Sequence, residues 1–157
     1  VLLTQDVSAL VLKNELRGIE ITSDSDDVTL VKAMAGEVWH DFVMFAVEQG
    51  LGGIENLSLI PGSVGAAPMQ NIGAYGTEIK DVFHELEAVH IATGLTHHFD
   101  QASCEFGYRE SIFKKEMKNQ YLISQVISLK RVIALYLKYF NLLAEQCTLI
   151  DLHPLYQ

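Results

Sequence analysis

A long stretch of small residues with almost no charge constrains the fold more than any other feature of this chain. Residues 50–76, the glycine-rich segment, read GLGGIENLSLIPGSVGAAPMQNIGAYG and hold 7 of the 11 glycines and 2 of the 3 prolines. Glu55 is the only charged residue in the segment. A solvated linker would be more polar, and neither a helix nor a strand accommodates so many glycines. The segment therefore predicts a buried loop whose backbone approaches something closely.

Buried backbone N–H groups need hydrogen-bond partners, and a phosphate or the edge of a flavin ring would supply them. The sequence does not match a Walker loop, because no Gly-Lys-Ser/Thr follows, and it does not fit the Gly-x-Gly-x-x-Gly dinucleotide fingerprint. On composition alone, two interpretations remain open. One is a nucleotide or cofactor loop, and the other is a tight loop with a structural role only.

Composition excludes several classes of protein. With 157 residues, 49% hydrophobic and 20% charged, the chain resembles an ordinary globular domain. A net charge of −9 argues against nucleic-acid binding, and no apolar run approaches the roughly 18 residues of a membrane span. Two isolated cysteines, Cys104 and Cys147, favour a reducing compartment. No secretory signal is visible, and because the chain opens on Val1 rather than Met, inside a predicted strand, we expect a fragment or a truncated reading frame.

Hydrophobic periodicity predicts one helix among short strands. Apolar residues four apart predict a helix over 37–49, with Trp39 in the core. Alternating or apolar runs predict strands, and an acidic cluster at Asp24, Asp26 and Asp27 predicts a hairpin turn rather than a calcium site. The predicted strands cover residues 1–3, 9–12, 18–22, 28–33, 86–91, 95–99 and 121–129.

Two further groups of residues carry candidate chemistry. His97 and His98 are adjacent on a predicted strand and point to opposite faces, so we expect no metal site there. Gly107 precedes Tyr108 and Arg109, which indicates a loop that presents side chains. The alternative is a surface arginine paired with Glu105 or Glu110.

Residues 56–76, NLSLIPGSVGAAPMQNIGAYG, and residues 106–113, FGYRESIF, together resemble UDP-N-acetylenolpyruvoylglucosamine reductase, also called UDP-N-acetylmuramate dehydrogenase. The resemblance covers about residues 1–129. It implies an α+β fold, the larger lobe of an FAD-binding domain of the vanillyl-alcohol-oxidase type, with helices packed on a mixed or antiparallel sheet. We expect an FAD-binding lobe over 1–129, incomplete at its N-terminus, a divergent tail over 130–157 with a helix at 132–145, and no substrate domain.

The family's reaction is implied with the fold. NADPH reduces FAD, and the flavin passes a hydride to the enolpyruvyl group of a UDP-sugar to give UDP-N-acetylmuramate, a cytoplasmic peptidoglycan precursor. Arg109 matches the catalytic arginine, whose fixed charge would stabilise the developing enolate. Tyr75, Tyr108 and Arg109 would contact substrate, although each tyrosine could instead simply pack in the fold. The implied FAD contacts are Ile60, Pro61, Gly62, Ser63, Val64, Gly65, Ala66, Ala67, Pro68, Met69, Gln70, Asn71, Ile72, Gly73 and Ile123.

The sequence also departs from the family's pattern. A second glycine-rich loop ending in Ser-Asn, a proton-donating serine in a Gly-Ser-Phe-Phe stretch and a C-terminal glutamate have no counterpart here. We therefore expect the chain to be inactive alone. Two other hypotheses remain open: a degenerate domain without flavin that docks through its apolar tail, and, less favoured, a membrane-surface protein with an interfacial helix at 130–145.

Overall fold

The computed structural model describes residues 4–8, 10–25 and 28–128. The predictions for a strand at 1–3, for Asp26 and Asp27, for Cys147 and for the tail at 130–157 lie outside these residues. Within them, no helix is long and apolar enough to cross a membrane. The described elements are β1 (Ile19–Asp24), β2 (Thr29–Met34), α1 (Trp39–Glu48), β3 (Gly73–Ala74), β4 (Thr77–Glu78), β5 (Phe83–His90), β6 (Thr96–Asp100), β7 (Tyr121–Ser128) and five short 3₁₀ turns.

Five strands form one antiparallel sheet in the order β1-β2-β7-β5-β6. Two pairs of strands consecutive in sequence, β1–β2 and β5–β6, lie on either side of β7, which joins them. Along β2, side chains alternate between buried and half-buried, as expected for a sheet with one face on a core. The predicted α+β fold with an antiparallel sheet is confirmed.

Helix α1 packs one face into the core. Trp39, Phe42, Val43 and Ala46 are buried on that face, which confirms the predicted helix and the core position of the tryptophan. The indole N–H of Trp39 donates to the carbonyl of Leu57 at 2.7 Å, so the one polar atom of this buried ring is satisfied.

The end of α1 is set by a glycine. Gly50 adopts φ +72°, and the N–H of Leu51 donates back to the carbonyl of Ala46 at 2.8 Å. Glycine is the residue that reaches this left-handed conformation without steric cost, so the helix ends just before Gly50, close to the predicted boundary at residue 49.

The glycine-rich segment lies where the sheet meets the helix, and its backbone bonds to the connection between β2 and α1. Trp39 N–H donates to the carbonyl of Gly62 at 3.0 Å, and Val64 N–H donates to the carbonyl of Glu37 at 2.9 Å. The N–H of Gly65 donates to the carbonyl of Ala35 at 3.0 Å. The segment is therefore attached to the domain by main-chain hydrogen bonds.

This close approach requires a glycine at position 65. A Cβ added there would lie 2.6 Å from the Cβ of Ala35 and 3.2 Å from its Cα. Because Ala35 is itself buried, neither backbone has room to move apart.

The strand predicted at 9–12 is wrong for the residues that the structure describes. Leu10, Val11 and Leu12 form no strand and are exposed. A short apolar run becomes a strand only where a neighbouring strand takes its hydrogen bonds, and no described strand pairs with residues 10–12. Asp24 of the predicted acidic turn accepts a hydrogen bond from the hydroxyl of Thr29 at 2.6 Å.

Replacing Gly65 with alanine should destabilise the domain by about 2 kcal/mol, because the new methyl group overpacks a backbone contact. Urea unfolding followed by the fluorescence of Trp39, which is buried, measures the change. Gly107→Ala is the matched control, because a Cβ there meets only the Cβ of Glu110 at an ordinary 3.6 Å. Equal stabilities for the two variants would contradict the packing role of Gly65.

Candidate functional site

An open cleft of about 390 Å³ lies at the end of the glycine-rich segment. One wall is the β3–β4 ribbon with the 3₁₀ turn that follows it, and the other is the turn at 107–110. The side chains that give the cleft its chemistry are Tyr75, Glu78, Lys80, Asp81, Tyr108 and Arg109. The structure thus brings together all three residues that the resemblance assigns to substrate.

The first wall is a two-residue hairpin. Gly73 and Ala74 pair with Glu78 and Thr77, and the turn between them has positive φ at both of its central residues, Tyr75 (+51°) and Gly76 (+80°). Such turns match the twist of the flanking strands. A tyrosine in this conformation costs on the order of 1 kcal/mol, and Tyr75 is 89% exposed.

The second wall is also a tight turn. Gly107 N–H donates to the carbonyl of Glu110 at 3.0 Å, and Glu110 N–H donates to that of Gly107 at 3.2 Å. Tyr108 and Arg109 occupy the tip, where Arg109 has φ +55° and Tyr108 is 85% exposed. We call residues 107–110 the arginine turn. Left-handed backbone at a non-glycine residue persists only where the surroundings hold it, and here it occurs on both walls of one cleft.

Arg109 makes no close ion pair in the described part of the chain, although its charge acts on Glu78 at longer range. Among the described residues no carboxylate lies within 4.0 Å of its guanidinium, and Glu110 instead lies 3.9 Å from the ammonium of Lys114. The alternative of a surface pair with Glu105 or Glu110 is therefore wrong. The guanidinium carbon of Arg109 lies 6.0 Å from the centre of the Tyr108 ring. Because a contact with a ring face uses none of the N–H groups of the arginine, they can still bind an anion.

Glu78 is an ionised carboxylate that already has partners within the protein. The ammonium of Lys80 lies 2.5 Å from it and is the main cause of its lowered pKa, and a hydrogen bond from Asn71 and the charge of Arg109 lower that pKa further. The same pair raises the pKa of Lys80. Glu78 also closes a capping box with Asp81. This carboxylate is suited to holding structure rather than to donating a proton.

The residues assigned to FAD by resemblance fall on two sides of the glycine-rich segment. Val64, Ala67, Pro68, Asn71, Ile72 and Gly73 are buried within the protein, whereas Pro61, Gly62, Ala66 and Gln70 are exposed and Ile60, Ser63, Gly65 and Met69 are half-buried. The exposed side is the one that could face a ligand. Ile123 is placed elsewhere, in a groove with Leu12 and Leu122.

The exposed side has the features of an anion site. Gly62 has φ +139°, and a Cβ there would meet nothing within 4 Å. No backbone acceptor among the described residues takes the N–H of Gly62 or that of Ser63. Two neighbouring amides without a backbone acceptor, at an exposed glycine and the residue after it, suit a pyrophosphate oxygen or a flavin carbonyl, so these residues fit the cofactor that the resemblance implies.

Other reactive side chains lie away from the cleft. His97 bonds to the hydroxyl of Tyr121 at 2.9 Å, and His98 lies 3.6 Å from Glu87, so the two imidazoles face opposite sides of β6. Within residues 4–8, 10–25 and 28–128 no three His, Cys, Asp or Glu side chains are grouped to hold a metal. Burial raises the pKa of the Cys104 thiol to about 12.

A family model described as an FAD binding domain matches residues 2–100. The chain belongs to this family of FAD-binding domains. Curated relatives carry the same name as the resemblance, UDP-N-acetylenolpyruvoylglucosamine reductase, which confirms it. The Flavobacterium johnsoniae protein is 51% identical over 146 residues, which are 92% of this chain and 43% of that protein. A Pseudomonas fluorescens protein is 54% identical over 138 residues, 88% of this chain and 41% of that protein.

A solved structure agrees with this family. The structure of the reductase of Thermus caldophilus is similar to this chain with a TM-score of 0.58 at 25% identity, over 76% of this chain and 43% of that one. The chain thus spans about two-fifths of the length of the relatives that it matches. Sequence reasoning missed Glu78 and Lys80 in the cleft, although their position directly after the matched motif was the available signal.

Removing the ammonium of Lys80 should raise the pKa of Glu78 toward its ordinary value, because Lys80 is the largest cause of the lowering. NMR titration of the Glu78 carboxyl carbon in the chain and in Lys80→Gln measures the shift. A carboxylate whose pKa is lowered by folding stabilises the fold at pH values above its unfolded pKa, and this stabilisation is lost as the pH falls through the folded pKa. Lys80→Gln has less of this stabilisation to lose, so its free energy of unfolding should fall less on acidification. Lys118→Gln, an exposed lysine absent from the described ion pairs, is the control. An unchanged pKa in Lys80→Gln would contradict the pairing.

Proposed function

We propose that this chain is the flavin-carrying part of an NADPH-dependent oxidoreductase that reduces the enolpyruvyl ether of a UDP-sugar to UDP-N-acetylmuramate. The observation that carries the proposal is Arg109, an arginine without a carboxylate partner among the described residues, presented on a strained turn across a cleft from Tyr75. The relatives named as this reductase support it, since they share half of their residues with the chain where they match.

The cofactor of this activity is FAD, which when bound would take a hydride from NADPH and deliver it to the substrate double bond. Exposed residues of the glycine-rich segment would hold it, with the amides of Gly62 and Ser63 toward an anionic group and with Ala66 and Gln70 along its surface. The buried members of the assigned set, Val64 among them, would act by packing the segment in place. We keep Ile123, which lies on β7, as a proposed FAD contact.

Arg109 would act on the substrate carboxylate. Addition of hydride to the enolpyruvyl double bond moves negative charge onto the adjacent carboxylate as an enolate. A fixed guanidinium that holds the carboxylate by two parallel hydrogen bonds gains strength as this charge develops. Tyr75 and Tyr108 line the same cleft with exposed rings and hydroxyls, and we assign them to substrate contact.

The organisation of the chain follows from this function. Residues 1–129 would form the FAD-binding lobe and residues 130–157 a separate tail, with the UDP-sugar held largely by parts that the relatives carry beyond this chain. UDP-sugars and NADPH are metabolites of the cytoplasm, which we propose as the location. The product would serve peptidoglycan synthesis.

The purified chain should take up FAD and keep the visible absorption band of oxidised flavin after the excess is removed. Ala66→Glu should weaken this binding by about tenfold or more, because it adds bulk and negative charge to the exposed side of the segment. Ala92→Glu, at an exposed alanine in the β5–β6 turn, is the matched control. Equilibrium titration gives both affinities. A folded chain that stays colourless would contradict the proposed cofactor site.

Arg109→Lys should leave folding unchanged and abolish substrate-dependent flavin oxidation, because a lysine cannot hold the carboxylate with two parallel bonds. The assay uses a hybrid reductase in which this chain replaces the matching segment of the Flavobacterium johnsoniae protein. Arg17→Lys, whose guanidinium pairs with Glu37 instead, is the matched control. Turnover retained in Arg109→Lys would remove Arg109 from the mechanism.

A further inference from the structure

Few polar side chains are buried among the described residues, and two of the three lie between the glycine-rich segment and the arginine turn. Within the described residues, the fully buried polar side chains are Thr29, Asn71 and Ser111. Asn71 and Ser111 each bond across the gap between the glycine-rich segment and the arginine turn. A buried polar group costs free energy unless it is hydrogen-bonded, so these two positions are tied to their partners.

Asn71 holds the start of the arginine turn. Its side-chain N–H donates to the carbonyl of Gly107 at 2.9 Å, and its side-chain oxygen accepts from the N–H of Lys80 at 3.2 Å. Asn71 itself has φ +43°, a conformation that asparagine tolerates better than most residues. One side chain thus joins the glycine-rich segment to both walls of the cleft.

Ser111 holds the other end of the same turn. Its hydroxyl donates to the carbonyl of Met69 at 2.7 Å. Gly107 and Ser111 stand on either side of the tip, and their partners Asn71 and Met69 are only two residues apart. The arginine turn is therefore bonded at both ends to one short stretch of the segment assigned to the flavin.

We propose that Asn71 and Ser111 are positioning residues that fix Arg109 relative to the bound flavin. The inference rests on the proposed function, since it concerns the distance between the hydride donor and the cation that stabilises the product charge. Directional hydrogen bonds at both ends of the turn set its place before substrate arrives, so little reorganisation remains at the moment of reaction. Apolar packing alone would leave the orientation of the turn less well defined, because the hydrophobic effect has no preferred direction.

Ser111→Ala removes one bond with the smallest change in shape, and Asn71→Gly removes the other while keeping the left-handed backbone. Ser124→Ala is the matched control, because its hydroxyl also donates to a backbone carbonyl, that of Glu87 at 3.0 Å, but in the sheet. Trypsin provides the local readout in the full chain. Cleavage after Arg109 reports opening of the turn, and cleavage after the exposed Lys118 reports opening elsewhere.

Both cleft variants should speed cleavage after Arg109 by about fivefold or more relative to cleavage after Lys118, and the FAD affinity of Ser111→Ala, which changes no assigned FAD contact, should stay within about threefold of the parent. Ser124→Ala should leave this ratio unchanged. In the hybrid reductase, Ser111→Ala should lower kcat by about tenfold with the KM for NADPH nearly unchanged. Unchanged cleavage or unchanged kcat would overturn the inference, as would an equal effect at both trypsin sites.

Failure of the proposed function is a separate result. A parent chain that binds no FAD, or an Arg109→Lys hybrid that keeps its turnover, contradicts the function and with it the positioning role. Normal FAD binding and an inactive Arg109→Lys hybrid, combined with unchanged cleavage in both cleft variants, contradict the positioning role alone.

Discussion

The close backbone pairing of the glycine-rich segment with the β2–α1 connection is the constraint on which the rest of this domain depends. Three main-chain hydrogen bonds over residues 62–65 fix the segment against Ala35, Glu37 and Trp39. The pairing takes the carbonyl of Gly62 and the N–H groups of Val64 and Gly65, and it leaves the amides of Gly62 and Ser63 without a backbone acceptor in the described part of the chain. One structural requirement, small residues at the contact, therefore produces both the packing and the exposed backbone of the candidate cofactor site.

The sequence was sufficient for most of the regular structure. Local periodicity predicts α1 and the strands β1, β2, β5, β6 and β7, because apolar residues recur along each element with the period of a helix or a strand. The alternation follows burial directly in β2 and β5, whereas the edge strand β1 has no buried side chain. The exposed run at 10–12 shows the limit of such reasoning. Whether an apolar run becomes a strand depends on a partner strand, and partners are chosen by the whole fold rather than by neighbouring residues.

The candidate site also has a part that the sequence predicts and a part that it does not. Motif resemblance was enough to select Arg109, Tyr75 and Tyr108, which the structure gathers at one cleft. It could not predict that Asn71 and Ser111 connect the two motifs, because those bonds join residues 36 and 42 positions apart. Nor could it divide the assigned flavin residues into a buried and an exposed side, since burial in a glycine-rich loop follows no period.

The two long-range bonds behind the cleft have a consequence for how this domain can vary. Gly107 and Ser111 are attached directly to residues 69–71, and the N–H of Ile112 donates to the carbonyl of Cys104, so the bonds that hold the arginine turn do not involve the tip of the β5–β6 hairpin. That tip, residues 91–95, is exposed throughout. Residues can therefore be inserted or deleted at this tip, in evolution or by design, without moving the arginine turn.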